Sequence, residues 1–470
     1  MEMKAWRVAV AFAVWAGAAV AAVEKPNLIF ILADDLGYGE LGCYGQRVIQ
    51  TPRLDRMAKE GVRFTQFYAG ATVCAPSRSV LMTGLHHGHT RVRGNAGMHN
   101  PKAQALRDED VTVAEVLKRA GYATALIGKW GLGDAGAAEC GLPRKQGFDT
   151  FFGYLNQRHA HNHYPDFLWR NEERVVLPNV VTPVGGDGAG YAVEGKAYAD
   201  DLFADEAVKY VREHKDGPFF LFLSLVVPHA NNERGGAFKD GAEVPDYGPY
   251  ADESWPSPDK GHAAMITRMD GYVGRVLDEL KAQGIAERTL VVFTSDNGLH
   301  HESWHDLARF KPSGPFSGTK RSLTDGGIRV PFIAWWPGSV GADVESGHVA
   351  YFGDWMATAA QLAGVGAPDG FDSISFSPTL LGSGAQAAHE FLYWEFHEGG
   401  FRNAALWQGR WKGIRRGPPG TPLALYDQAN DIEETRNVAA QHPEIVKRID
   451  AYLDTARSES EDWQPAWPKK

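Results

Sequence analysis

The run PNLIFILADD, residues 26–35, decides how the chain folds, because a continuous apolar stretch ends there in two aspartates. A short run rich in Ile and Leu predicts a strand that is covered on both faces, as in a parallel sheet. Gly37 and Gly39 follow, so the two acids open a glycine-rich loop. Open α/β sheets bind ligands beyond the carboxyl ends of their strands. Asp34 and Asp35 are therefore candidate site residues.

The same arrangement recurs along the chain. Three further apolar runs predict strands at residues 122–127, 218–227 and 289–294, and helical patterns lie at 51–61, 112–120, 204–214 and 265–283. Polar residues follow each strand, namely Lys129, His229 and the pair Asp296-Asn297. Strands that alternate with helices form a parallel sheet, so these side chains are predicted to meet at one rim.

A second motif, CAPSR at residues 74–78, is followed by Ser79 and an apolar run that ends at Thr83-Gly84. Pro76 suits the first turn of a helix, where its missing N–H is harmless. Cys74 then lies beside unpaired backbone N–H groups at the positive end of a helix, a favourable place for an anion. Asp34, Asp35, Asp296 and Asn297 offer only hard oxygen ligands, which favour Ca²⁺ or Mg²⁺ over zinc.

Composition limits the function. The chain has 470 residues and a formal net charge of −10, which argues against a nucleic-acid binder. An anionic substrate needs locally concentrated cations, because the overall field does not attract it.

Residues 1–22 have the pattern of a secretory signal peptide. Lys4 and Arg7 give a positive start, and residues 8–22 are apolar and small. This run is shorter than the roughly 20 residues that span a bilayer. We predict an exported protein, periplasmic or secreted, without stable membrane insertion.

The sequence predicts two structural units after residue 22. Residues 23–365 form a catalytic α/β domain with a large, mostly parallel sheet flanked by helices. Beyond Ala363 the sequence becomes rich in Gly, Pro and Ser, and strand-like runs follow. These runs lie at residues 391–396, 404–407, 410–415 and 423–426, with a last helix at 443–457. Residues 366–470 are therefore predicted to form a C-terminal α+β subdomain with a small antiparallel sheet.

The motif C-x-P-S-R followed by Thr-Gly resembles the signature of the type I, formylglycine-dependent sulfatases of the alkaline phosphatase superfamily. The resemblance covers roughly residues 26–450 and implies an alkaline-phosphatase-like fold. It implies that Cys74 is converted to formylglycine by a formylglycine-generating or an anaerobic sulfatase-maturating enzyme. It also implies one divalent ion, usually calcium, that contacts the modified residue 74. The ion's other ligands would be Asp34, Asp35, Asp296 and Asn297.

The resemblance assigns roles to further residues. Arg78 would hold the modified residue, Lys129 and Lys320 would bind the sulfate, and His229 would be the general acid at the leaving oxygen. One hydroxyl of the hydrated aldehyde would attack sulfur, and the covalent sulfate would leave as the second hydroxyl returns to the aldehyde. Asn297 favours a single-metal sulfatase site, since related two-zinc phosphatases typically have histidine there.

One position departs from the family pattern. Many sulfatases read Gly-Lys-Trp-His, whereas this chain has Gly131 in the place of the histidine. In those sulfatases the histidine forms a hydrogen bond to the modified residue. Here that hydrogen bond must be absent or come from another side chain. Candidate replacements are the histidines at 159, 161, 163, 300, 301 and 305. Of these we predict substrate binding for His161, His301 and His305.

If Cys74 is converted, Cys43 and Cys140 remain as a possible disulfide pair. The predicted function is hydrolysis of sulfate esters. The predicted substrate is a sulfated small molecule or glycan, and of these we predict a sulfated carbohydrate. Two alternatives stay open, namely a phosphonate or phosphodiester hydrolase of the same superfamily and a non-catalytic glycan-binding pseudo-sulfatase.

Overall fold

The structure is a computed structural model that describes residues 25–96, 100–136 and 138–467. The predicted signal peptide, residues 1–22, lies outside the described residues. Within those residues, no helix combines the length and the apolar character that crossing a bilayer requires.

A ten-stranded sheet forms the centre of the molecule. In chain order its strands are β1 (Asn27–Ala33), β2 (Val62–Phe64), β4 (Ala123–Lys129), β5 (Thr150–Tyr154), β6 (Phe167–Arg170), β7 (Glu173–Val176), β10 (Phe219–Ser224), β11 (Thr289–Ser295), β12 (Phe332–Trp335) and β13 (Val344–Ser346). Across the sheet they lie in the order β13-β2-β12-β11-β1-β10-β4-β5-β6-β7. Two short pairs stand apart, β3 (Phe67–Tyr68) with β14 (Ala350–Tyr351), and β8 (Val180–Pro183) with β9 (Gly190–Glu194).

The four predicted strands are confirmed as β1, β4, β10 and β11. They are neighbours in the sheet and run parallel, with β1 in the middle between β10 and β11. The sheet is more mixed than predicted, because β12 and β2 on one side and β6 and β7 on the other pair antiparallel. These flanking strands have three or four residues each, so their apolar runs are too short to recognise in the sequence.

Helices cover both faces of this sheet. They are α1 (Pro52–Lys59), α2 (Cys74–Thr83), α3 (Val113–Arg119), α4 (Ala199–Glu213), α5 (Asn232–Phe238), α6 (Ser257–Ala282), α7 (Leu307–Phe310), α8 (Asp325–Ile328), α9 (Asp354–Leu362), α10 (Ser377–Leu381) and α11 (Pro443–Thr455). Side chains of β1 alternate between the two layers, since Leu28 and Phe30 pack with α2, α3 and α9. Ile29 and Ile31 pack with α1, α4 and α6 on the opposite face.

Local sequence explains where the predicted helices begin and end. Thr112 caps α3, because its side chain accepts from the Glu115 backbone N–H and the Glu115 carboxylate accepts from the Thr112 N–H. Helix α2 begins at Cys74 and has Pro76 in its first turn, as predicted. It ends at Gly84, whose φ of 68° is a left-handed conformation that glycine adopts without strain.

The C-terminal part forms a four-stranded antiparallel sheet. Its strands are β15 (Phe391–Phe396), β16 (Arg402–Trp407), β17 (Trp411–Arg415) and β18 (Ala424–Asp427). Helix α11 packs Ile449 and Leu453 against one face of this sheet. The other face joins the core of the large sheet through residues such as Trp394. The predicted antiparallel sheet and last helix are confirmed, and their core is continuous with that of the main body.

Charged groups also join the two parts. The Lys412 ammonium donates to Asp325 (2.6 Å) and contacts Glu434 (3.1 Å), and all three side chains are buried. The indole Nε1–H of Trp394 also links the two parts, since it donates to the Ala69 carbonyl at 2.9 Å.

In the described part of the chain all three cysteines are free thiols. The suggested Cys43–Cys140 disulfide is therefore absent.

Candidate active site

Strand register brings the predicted acids together. Ala33 of β1 lies beside Ser295 of β11, so the residues that follow both strands leave the sheet side by side. The Asp35 backbone N–H donates to an Asp296 carboxylate oxygen at 3.0 Å. Asp35 itself has a φ of 64°, a left-handed conformation that aspartate tolerates better than most residues.

Cys74 lies against this acidic cluster from the N-terminus of α2. Its Sγ is 3.4 Å from an Asp34 carboxylate oxygen and 4.0 Å from one of Asp35. Burial and the nearby Asp34 charge raise the pKa of the thiol well above its usual value. The sulfur is therefore a poor nucleophile in this environment.

Arg78, one turn later in α2, ties the site together. Its guanidinium donates to Asp296 from Nε (3.1 Å) and from one terminal nitrogen (2.9 Å). The other terminal nitrogen donates to the Lys129 carbonyl and to the Ser224 hydroxyl. A fully buried arginine with this many partners fixes the ends of β4, β10 and β11 relative to α2.

Two lysines and one histidine also belong to this cluster of buried side chains. The Lys129 ammonium donates to Asp34, and the Lys320 ammonium donates to Asp35 at 2.7 Å. Lys320 Nζ is also 3.1 Å from Nε2 of His229. Burial alone would lower the pKa of Lys320, but the negative groups around it, Asp35 first among them, together raise the pKa, so this side chain is a cation at neutral pH.

His229 is held as a neutral ring. Burial and the Lys320 charge lower its pKa well below the usual value. Its Nδ1 donates to the Ala230 carbonyl at 2.7 Å, which leaves Nε2 as the acceptor that faces Lys320. His229, the predicted general acid, therefore accepts a hydrogen bond at Nε2 from Lys320.

The oxygen cluster fits a divalent cation. Oδ1 of Asn297 is buried and has no hydrogen-bond partner within the described ranges, while Nδ2 donates to Asp35. Burial and the charge of Asp34 raise the pKa of Asp296 to about 7, so these carboxylates repel one another. Atoms of Asp34, Asp35, Cys74 and His229 that could ligate a metal lie within 4.8 Å of one another. An ion would relieve this repulsion and satisfy the amide oxygen.

The three histidines that we predicted to bind substrate occupy different places. His161 stacks on His229, with ring centroids 4.9 Å apart, and contacts the Glu233 carboxylate at 3.1 Å. His301 is exposed on the loop after β11. His305 is buried and stacks on His262 at 3.7 Å, with its Nδ1 bonded to Ser303. Substrate binding by these side chains stays a prediction.

Two other candidate histidines support the backbone around the site. His163 Nε2 bonds the His229 carbonyl at 2.8 Å, and His300 Nε2 bonds the Pro228 carbonyl at 2.9 Å. Both contacts fix the segment that presents His229.

Sequence reasoning missed several contacts of the site. Ser224, which bonds Arg78, ends strand β10, so the rule used for the acids would have found it. Asn95 accepts the Ala75 backbone N–H at 3.2 Å, and Glu302 lies 3.6 Å from Lys320. Nothing in the sequence around Asn95 or Glu302 marks them as site residues.

Comparison with known proteins gives a consistent family assignment. Residues 26–365 match the family described as Sulfatase, and residues 316–459 match the C-terminal region of N-sulphoglucosamine sulphohydrolase. Human arylsulfatase D is 32% identical over an alignment that covers 82% of this chain and 72% of that protein. The N-acetylgalactosamine-6-O-sulfatase of Bacteroides thetaiotaomicron is 28% identical over 93% of this chain and 94% of the relative.

Solved structures agree with this assignment. The structure of Ps i-CgsB in complex with a neocarrahexaose has a TM-score of 0.74 and 25% identity, covering 95% of both chains. Together with the convergence of Cys74, the oxygen cluster and three buried cations, these similarities establish that the chain belongs to the sulfatase family of the alkaline phosphatase superfamily and is a sulfuric ester hydrolase.

Proposed function

We propose that this protein hydrolyses sulfate esters of a sulfated carbohydrate, with formylglycine formed from Cys74 and one bound divalent ion. The observation that carries the chemistry is the meeting of Arg78, Lys129 and Lys320 in one buried cluster beside Cys74. Three fixed and buried cations suit a group that develops negative charge during transfer.

In this proposal Asp34, Asp35, Asp296 and Asn297 hold Ca²⁺, with Mg²⁺ as the alternative, and the modified residue 74 completes the set. The ion would polarise the hydrated aldehyde, which supplies the nucleophilic oxygen. The charges support this assignment, because the carboxylates of Asp34, Asp35 and Asp296 are matched by three cationic side chains. A divalent cation and an anionic ester can therefore enter with charges that compensate each other.

The protein side chains have distinct tasks in the reaction. Lys129 and Lys320 would hold oxygens of the sulfate group, since their ammonium groups contact Asp34 and Asp35, the two acids that Cys74 Sγ also approaches. His229 faces Lys320 through an unprotonated Nε2. An anionic sulfate bound beside this ring would raise the pKa of His229, so that Nε2 could carry the proton that the leaving oxygen takes.

The proposal of a carbohydrate substrate draws on the relatives. N-acetylgalactosamine-6-sulfatases occur among them at 28–32% identity, and Ps i-CgsB was solved in complex with k-i-k-neocarrahexaose. Export through the predicted signal peptide would place the enzyme where sulfated glycans occur. Conversion of Cys74 requires a maturation enzyme in the same cell. We retain residues 23–365 as the proposed catalytic domain and 366–470 as its subdomain.

The experiment uses protein in which peptide mass spectrometry has verified the aldehyde at position 74. Turnover is measured on 4-nitrophenyl sulfate, on bis-4-nitrophenyl phosphate and on N-acetylgalactosamine 6-sulfate and glucosamine 2-N,6-O-disulfate. We expect sulfate ester hydrolysis to exceed phosphodiester hydrolysis, with the highest kcat/KM on a sulfated sugar. Faster phosphodiester turnover would support the phosphodiesterase alternative. Saccharide binding without turnover by aldehyde-bearing protein would support the pseudo-sulfatase.

A further inference from the structure

Gln157 has a buried amide without hydrogen-bond partners. The residue follows strand β5 and is only 9% exposed. Neither its Nε2 nor its Oε1 has a partner among the residues that the structure describes. Buried polar atoms are nearly always paired, because an unpaired one loses its hydrogen bonds to water without replacement. A donor and an acceptor left open on one amide point to a ligand that satisfies both.

The amide of Gln157 occupies the space beside Gly131. A Cβ atom built on Gly131 would lie 2.4 Å from Nε2 of Gln157, so any larger residue would displace the amide. The two segments run side by side, because the backbone N–H groups of Trp130 and Gly131 donate to the carbonyls of Tyr154 and Leu155. The Gln157 amide therefore lies against Gly131, which is two residues after Lys129 and takes the place of the histidine that many sulfatases have.

Gln157 and Gly131 belong to the wall of a cavity of about 330 Å³. This volume lies in the usual range of small-molecule sites. The wall combines the rings of Phe167 and Trp169 with polar groups such as Asp134. Aromatic faces beside hydroxyl-binding groups match the two kinds of surface on a sugar ring, which has apolar faces and a polar edge.

A chain of contacts connects the cavity with the reaction centre. Arg158, also in the cavity wall, lies 3.5 Å from the Glu233 carboxylate, which contacts His161 at 3.1 Å. The His161 ring stacks on His229, the residue at the leaving oxygen. A substrate whose sulfate lies at Cys74 could therefore extend toward the cavity.

We infer that this cavity receives a sugar ring of the substrate, and that the Gln157 amide recognises it by donating to one hydroxyl or acetamido group and accepting from another. The inference rests on the proposed carbohydrate sulfatase function and makes Gln157 a specificity-determining residue. A simple aryl sulfate offers no such pair of groups.

The test compares Gln157→Met, which keeps the size but removes both hydrogen-bonding atoms, with Gln157→Glu, which keeps the acceptors and loses the donor. Values of kcat/KM are measured on N-acetylgalactosamine 6-sulfate, glucosamine 2-N,6-O-disulfate and 4-nitrophenyl sulfate. We expect Gln157→Met to lose at least tenfold more on the preferred saccharide than on the aryl ester. Gln361→Met, at an exposed position of α9, is the matched control and should retain full activity on both.

A binding measurement keeps this inference separate from the proposed function. Cys74→Ala protein, which cannot be converted, is titrated with the same two saccharides by calorimetry, with and without Gln157→Met. We expect the second change to weaken binding at least tenfold with an unchanged melting temperature. Equal losses on saccharide and aryl ester, unchanged binding, or no saccharide binding at all would overturn the inference. If aldehyde-bearing protein hydrolyses none of the esters, the proposed function fails, while the titration still judges Gln157.

Discussion

At the scale of single residues, the site depends on charges that are buried and mutually compensated. Lys320 shows this most clearly, because it contacts both Asp35 (2.7 Å) and His229 (3.1 Å). The same ammonium group can bind a sulfate oxygen while it donates a hydrogen bond to the ring. Because little water screens this buried cation, its attraction for a bound anion is stronger than that of a lysine on the surface.

We predict that Lys320→Met lowers kcat/KM for sulfate esters by about 10²–10³, the usual cost of losing one donor to a developing oxyanion. Methionine keeps the side-chain volume, so the loss reflects the charge and the hydrogen bonds. Steady-state kinetics on aldehyde-verified protein provide the measurement. Lys447→Met, at an exposed position of α11, should remain fully active. A decrease of less than threefold for Lys320→Met would exclude an electrostatic role.

The sequence predicted some of these residues better than others, for a physical reason. Asp34, Asp35 and Asp296 follow buried strands, so the topology of a parallel sheet brings them together without further information. Gln157 gave no such signal, because its importance comes from what surrounds it. An unpaired amide beside a glycine becomes visible only when the loops after β4 and β5 lie next to each other.

At the scale of elements, strand length determined what could be predicted. The seven-residue runs of β1 and β11 are entirely buried, and the sequence identified both. Strands β2, β6 and β12 have three or four residues, and neighbours in the sheet rather than their own sequences make them strands. The C-terminal sheet was predictable because three of its strands have five or six residues and clear turns separate them.

The C-terminal sheet also contains a buried acid that should govern its stability at low pH. Burial alone would raise the pKa of Glu395, but His397, His87 and Arg457 outweigh it and lower the pKa to about 2. In the unfolded chain the same carboxyl group has its ordinary pKa of 4.5. Stability from Glu395 is therefore complete above about pH 4.5 and decreases as the pH falls toward 2.

We expect Glu395→Gln to remove this dependence, which amounts to about 3 kcal/mol of unfolding free energy over that range. Urea unfolding at several pH values between 6 and 2.5 measures it, with fluorescence of the buried tryptophans as the signal. Glu444→Gln, at an exposed position in the first turn of α11, is the control and should keep the wild-type slope. An unchanged acid slope in the Glu395 variant would contradict the assignment.

At the scale of the whole molecule, the site joins parts of the chain that are far apart in sequence. Residues near 34, 78, 129, 229, 296 and 320 meet at the rim of one sheet. Arg78 alone connects α2 with the ends of three strands. Occupation of the oxygen cluster should therefore stabilise the entire main body rather than one loop.

This coupling predicts that calcium raises the melting temperature of the protein. After removal of bound ions by a chelator, stepwise addition of Ca²⁺ should increase stability by about 2.7 kcal/mol at a hundred times the dissociation constant. Calorimetric scans at each concentration follow the effect, and parallel scans with Mg²⁺ identify the preferred ion. Asp34→Asn should abolish the response, whereas Asp108→Asn, at an exposed position, should leave it intact. A response that survives Asp34→Asn would place the ion elsewhere.

The position of Cys74 also limits when the enzyme can gain its activity. Only 2% of this residue is exposed, and its sulfur lies beneath the ends of the central strands. If Cys74 is oxidised as we propose, a second enzyme could not reach this sulfur in the folded chain, so the oxidation would act on a nascent or still extended polypeptide. Each molecule would then gain its nucleophile during synthesis, and a protein purified with its thiol intact would have to be unfolded before it could be converted.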